Sequence, residues 1–124
     1  MVRYLLPWAI QSALNRGRPV EQFLGGFDHG GVPALRWLTL QPEDGGVTLL
    51  LYESHDEGGE DFLDLYDFSE VDGEQGDPAA EHSCASLEEA LTIARTRYGA
   101  DPDRWVNEGV LQDEYRDYLT RGRR

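Results

Sequence analysis

Three histidines, one cysteine and a long series of carboxylates are the side chains here whose chemistry could serve a reaction or hold a ligand. His82 and Cys84 stand two positions apart, and His29 and His55 lie elsewhere, so a metal site or a thiol nucleophile can be drawn on paper. The close Cys-x-x-Cys pairing usual in zinc sites is missing, and no third group is in place to orient His82 against Cys84. A place just before a helix would lower the Cys84 pKa. The reading adopted is nonetheless a plain, partly buried thiol.

Two glycine-containing stretches invite other chemistry and fail on spacing. Asp56-Glu57-Gly58-Gly59-Glu60-Asp61 has the composition of a calcium loop, but such a loop lies between helices and ends on a bidentate glutamate, whereas this one is expected between strands. Gly25-Gly26-Phe27-Asp28-His29-Gly30-Gly31 has the glycines of a phosphate cradle, but it lacks the Lys-Ser/Thr that completes one, and Asp28 would repel a phosphate. It reads as a flexible connection. Asp64 and Asp67 fall within an alternating run, Phe62 to Phe68, which puts them on opposite faces of a strand, with Arg36 the donor expected for an inward-facing acid. They cannot converge for acid–base work. No catalytic residue, metal ligand or cofactor is therefore assigned.

Binding remains, and the charge distribution favours it. The chain carries a formal net charge of −13, and between Arg36 and Arg95 there is neither Lys nor Arg. A field of that sign repels nucleic acid and anionic membranes and speeds encounter with a basic surface. If Tyr52 and Tyr66 share the solvent face of the sheet with Asp64, they make an aromatic and acidic patch suited to gripping Arg or Lys of a partner. Tyr52, Glu53, Asp56, Glu57, Glu60, Asp61, Asp64 and Tyr66 are the expected partner-binding residues.

The elements that must position these residues follow from periodicity. Leu6, Ile10, Ala13 and Leu14 share one helical face, with Pro7 in the first turn and Gly17 as the stop. Pro19 suits the start of a second, short helix through Leu24. From Ala34 the period becomes two, and the turn formers Pro42 to Gly46 divide two strands into a hairpin. With Phe62 to Phe68 as the third strand, the sheet is a three-stranded antiparallel meander. Glu70 to Ser83 reads as an exposed, mobile loop. Ser86-Leu87-Glu88-Glu89 is a capping box opening a helix that ends at Gly99, and a last helix carries Leu111, Tyr115, Tyr118 and Leu119 on one face. The expectation is one acidic α+β domain, residues 1–124, with helices flanking the meander at both ends.

A lone cysteine leaves no intramolecular disulfide, which fits a reducing cytoplasm, and the apolar run Tyr4 to Ile10 is too short and too interrupted for a signal peptide or membrane span. The C-terminal third, with Tyr98-Gly99, Asp101-Pro102-Asp103-Arg104-Trp105 and Val110-Leu111-Gln112-Asp113-Glu114-Tyr115, resembles the tail of small uncharacterised bacterial proteins of the toxin-immunity type. That resemblance implies a small cytoplasmic binding protein and carries over no functional residue. The expected function is a non-catalytic acidic protein that neutralises a basic protein partner, as an immunity protein neutralises a nuclease-type toxin. Its alternatives are a small metal-dependent hydrolase using His29, His55 or His82, and a structural or regulatory subunit whose acidity only maintains solubility. Oligomeric state stays open.

Overall fold

The computed structural model describes residues 3–59, 61–71 and 77–122. Helix α1 (Pro7–Asn15) leads into three long strands, β1 (Val20–His29), β2 (Val32–Glu43) and β3 (Gly46–His55). A 3-10 turn (Leu65–Asp67), strand β4 (Ala80–Cys84), helix α2 (Leu87–Tyr98), a two-residue strand β5 (Val106–Asn107) and helix α3 (Leu111–Thr120) complete the chain. The class is α+β as expected, but the sheet has five strands rather than three, in the order β4-β3-β2-β1-β5, with every pairing antiparallel.

The two longer added strands, β1 and β4, lie where the sequence misled. The segment expected to be a short helix and then a flexible glycine loop is a single ten-residue strand, β1, paired with β2 from Val20 opposite Leu40 to His29 opposite Val32. Its glycines serve the strand. Gly30 and Gly31 both have positive φ, at 60° and 91°, which a two-residue hairpin turn of the primed type demands. Gly25 sits at a break in register after Phe23, and at Gly26 an added Cβ would lie 1.9 Å from the Tyr118 hydroxyl, so its bareness admits α3.

Phe62 to Phe68, expected as a strand, instead closes into the 3-10 turn. The Asp64 carboxylate accepts the Tyr66 backbone N–H at 3.1 Å, a local bond that competes with strand pairing. A spacing of three then turns Leu65 and Phe68 together into the core, where Phe68 meets Tyr115 edge-on at 5.5 Å. Part of the loop expected from Glu70 to Ser83 is β4, in which Ala80, His82 and Cys84 face inward while Glu81 and Ser83 face solvent. Residues 72–76 of that expected loop lie outside the described residues.

Two cores result, one on each face of the sheet. Val20, Leu38, Leu40, Val47, Leu49 and Leu51 pack against Ile10 and Leu14 of α1 and Ala90 and Ala94 of α2. Leu35 and Trp37 pack on the other face against Leu65, Phe68, Leu111, Tyr115 and Tyr118. The capping box of α2 forms: Ser86 Oγ accepts the Glu89 N–H at 3.2 Å, and the Glu89 carboxylate reaches back to the Ala85 N–H at 2.9 Å rather than to that of Ser86. Among the described residues no helix is long and apolar enough to cross a membrane.

The β3–β4 junction gives a direct check. An added Cβ at Gly46 would lie 2.1 Å from the Cys84 carbonyl oxygen, which is backbone and cannot swing aside. Gly46→Ala is therefore expected to lower stability by about 1–3 kcal/mol, the range of overpacked sites, in urea unfolding. An unchanged midpoint would show that these strands do not pair in this register.

Candidate binding pocket on the second sheet face

Next to the Trp37–α3 core, the same sheet face turns polar. Register places Glu21 of β1 beside Thr39 of β2, and Trp37 of β2 beside Tyr52 of β3. These side chains, with Tyr66 from the 3-10 turn and Gln41, Glu70 and Glu108, line a pocket of about 180 Å³. Trp37 and Tyr52 stack at 5.5 Å with planes 19° apart, and Tyr66 meets Trp37 edge-on at 6.4 Å. The three rings therefore pack together on one side of the pocket. The charged groups among the lining residues are carboxylates, with no Arg, Lys or His.

Glu21 is the unusual member. It is only 2% exposed, and its carboxylate accepts from the Tyr66 hydroxyl and from Thr39 Oγ1 at 3.3 Å, with a further bond from the Gly109 backbone. Burial pushes its pKa up, and the charge of Glu108 adds to the shift; the three hydrogen bonds oppose it. The phenols respond in kind. Burial and the charge of Glu21 raise the Tyr66 hydroxyl, while burial and the charges of Glu70, Glu21 and Glu81 raise that of Tyr52. Both hydroxyls thus remain protonated donors at neutral pH.

The other deeply buried acid is handled differently. Glu114 of α3, 3% exposed, takes Arg3 at 2.7 Å, Arg104 at 3.4 Å and the Tyr4 hydroxyl at 2.7 Å, and Arg3 also reaches Asp117 at 2.6 Å. Two guanidinium groups offset its desolvation. For Glu21 no cation is in reach among the described residues, so neutral donors alone hold it.

The structure brings together only part of the patch expected from sequence. Tyr52 and Tyr66 line one pocket, Tyr66 from the 3-10 turn rather than from a strand of the sheet. Glu53 lies on the opposite face from Tyr52 and pairs with Arg36 at 2.5 Å, and the Arg36 guanidinium also sits 4.3 Å over the Phe27 ring. Arg36 thus serves Glu53, not Asp64. Asp56 accepts the Tyr115 hydroxyl, Glu57 accepts Ser69 Oγ at 3.0 Å, and Asp64 caps the 3-10 turn. Asp61 is exposed, and Glu60 lies outside the described residues. The sequence reading missed Glu21, Glu70 and Glu108 as companions of the two tyrosines.

The three histidine rings and the Cys84 thiol form no common site, although the thiol donates to the His82 backbone carbonyl at 3.6 Å. His29 and His55 end strands β1 and β3, on either side of β2, while the His82 ring is bonded to the Tyr98 hydroxyl at 2.6 Å. Among the described residues no three His, Cys, Asp or Glu side chains are grouped to hold a metal ion. The Cys84 thiol is buried, and burial followed by the charge of Glu89 raises its pKa, opposite to the lowering expected beside a helix start. A larger cavity of about 590 Å³ between α1 and α2 is lined mainly by apolar groups such as Ile10, Leu91 and Trp105.

No family model, no curated protein and no solved structure matches this chain. The reading of the pocket accordingly rests on its geometry.

Glu21 makes stability depend on pH with a definite sign. The folded protein holds the Glu21 proton more tightly than the unfolded chain, so this contribution is complete below the ordinary carboxyl range and is lost as pH rises through the raised folded value. Glu21→Gln is expected to be more stable than wild type above that window and to lose its advantage below it, whereas Glu114→Gln is destabilised at neutral pH. Urea unfolding from about pH 4 to about pH 8 checks both; a pH-independent difference between wild type and Glu21→Gln would contradict the buried, cation-free carboxylate.

Proposed function

We propose that this chain is a non-catalytic binding protein whose acidic surface engages a basic protein partner, in the manner of an immunity protein that occupies a nuclease-type toxin. The observation that carries this reading is where the arginines are used. Arg3, Arg104 and Arg116 are engaged with Glu114, Asp117 and Asp113 of α3, and among the described residues only Arg36, on Glu53, pairs with a carboxylate of the arginine-free span, which therefore stays strongly negative. Long-range attraction would gather a cationic partner, and short-range burial of exposed aromatic groups, Tyr66 and Phe62 among them, would hold it. The same field disfavours nucleic acid and anionic membrane as partners. A cytoplasmic site of action belongs to this proposal.

Capture from the source lysate on immobilised protein, at low and at high ionic strength, with the bound species identified, tests it. The expected result is a protein of basic isoelectric point whose retention falls steeply as salt rises. Retention indifferent to salt, or a partner without a basic surface, would overturn the reading.

A further inference from the structure

We infer that the pocket formed by Glu21, Trp37, Tyr52 and Tyr66 receives one arginine side chain of the partner, stacked on the aromatic wall and paired to the Glu21 carboxylate. This rests on the reading of the chain as a binder of a basic protein and adds the chemical group recognised and its position.

Two independent features of the pocket point the same way. First, Glu21 is an acid removed from water with no protein cation beside it, in a molecule whose comparably buried Glu114 has two arginines. A buried carboxylate held only by neutral donors is costly to keep charged, and an arriving cation removes that cost. Second, the lining acids stand beside aromatic rings, with Trp37 buried against Tyr52, and Tyr66 exposed, and a flat guanidinium is matched to such rings better than a compact ammonium.

The volume, about 180 Å³, is consistent with a single side chain, and the surrounding carboxylates would repel a nucleotide. On binding, the guanidinium would donate to Glu21, with Glu70 and Glu108 adding to the negative potential at the mouth.

The test uses the blocked amino acid N-acetyl-arginine methylamide, its neutral isostere N-acetyl-citrulline methylamide and the corresponding lysine derivative, each titrated into the intact protein while the Trp37 indole resonance is followed by NMR. The arginine compound is expected to shift that resonance to saturation, the citrulline compound to leave it in place, and Glu21→Gln to weaken the arginine response by about tenfold or more. Asp103→Asn, an equal loss of charge at an exposed site away from the pocket, is expected to bind as wild type does. Equal responses to arginine and citrulline, a response lost equally in both variants, or tighter binding of the lysine compound would overturn the assignment. A polyarginine peptide separates the two levels of the account. If it binds wild type and Glu21→Gln alike, the pocket assignment fails while the binding of basic partners stands; if it binds neither, both fail.

Discussion

The antiparallel pairing of β1 with β2 is the constraint on which the other features depend. With Val20 opposite Leu40, alternation sends Val20 into the core under α1 and α2 and forces its neighbour Glu21 onto the other face beside Thr39. A slip of one residue would bury the acid in the first core and strip a valine from it. The same strand carries Phe23 to the aromatic rings of α3, 5.4 Å from Tyr118, and leaves Gly26 bare where the Tyr118 hydroxyl approaches. One register therefore fixes both cores and the floor of the pocket.

Two buried carboxylates then divide the molecule into different electrostatic regimes. Glu114 gathers Arg3, Arg104 and Tyr4 and so ties the N-terminal segment to α3, a link reinforced by the backbone bond from Leu5 N–H to the Trp105 carbonyl at 2.8 Å. Glu21 is satisfied by hydroxyls and backbone alone. A paired acid of the first kind holds a structure together. An unpaired acid of the second kind stores an unfavourable interaction that a ligand can relieve, and such sites are where binding and chemistry are usually found.

The helices were legible because each announces itself locally. Pro7 and the Ile10–Leu14 face mark α1, Ser86 and Glu89 mark α2, and Leu111, Tyr115 and Tyr118 mark α3. The β2–β3 hairpin was equally plain from its alternation and turn. What escaped depended on partners distant in sequence. β1 takes its strand character from pairing with β2, and its two glycines and the two of the turn after it, which locally suggest a loop, act as bulge, clearance and turn. β4 has only Ala80 and Cys84 as apolar residues, too few to signal alternation, and β5 is two residues long. Asp64 reversed the reading of Phe62 to Phe68 through a single local hydrogen bond. The site was half visible for the same reason: Tyr52 lies on a legible strand, whereas Glu21 lay within a segment read as helix, and an acid between Val20 and Gln22 gives no local sign that it is buried.

The central claim is that Glu21 is a buried carboxylate with no cation of the protein's own beside it. Direct NMR titration of the Glu21 side-chain carboxyl carbon in the unliganded protein tests this most plainly. A midpoint above the ordinary range of glutamates is the predicted result. A midpoint at or below that range would mean that the protein already neutralises this acid, and the pocket would then have no vacancy for a guanidinium to fill.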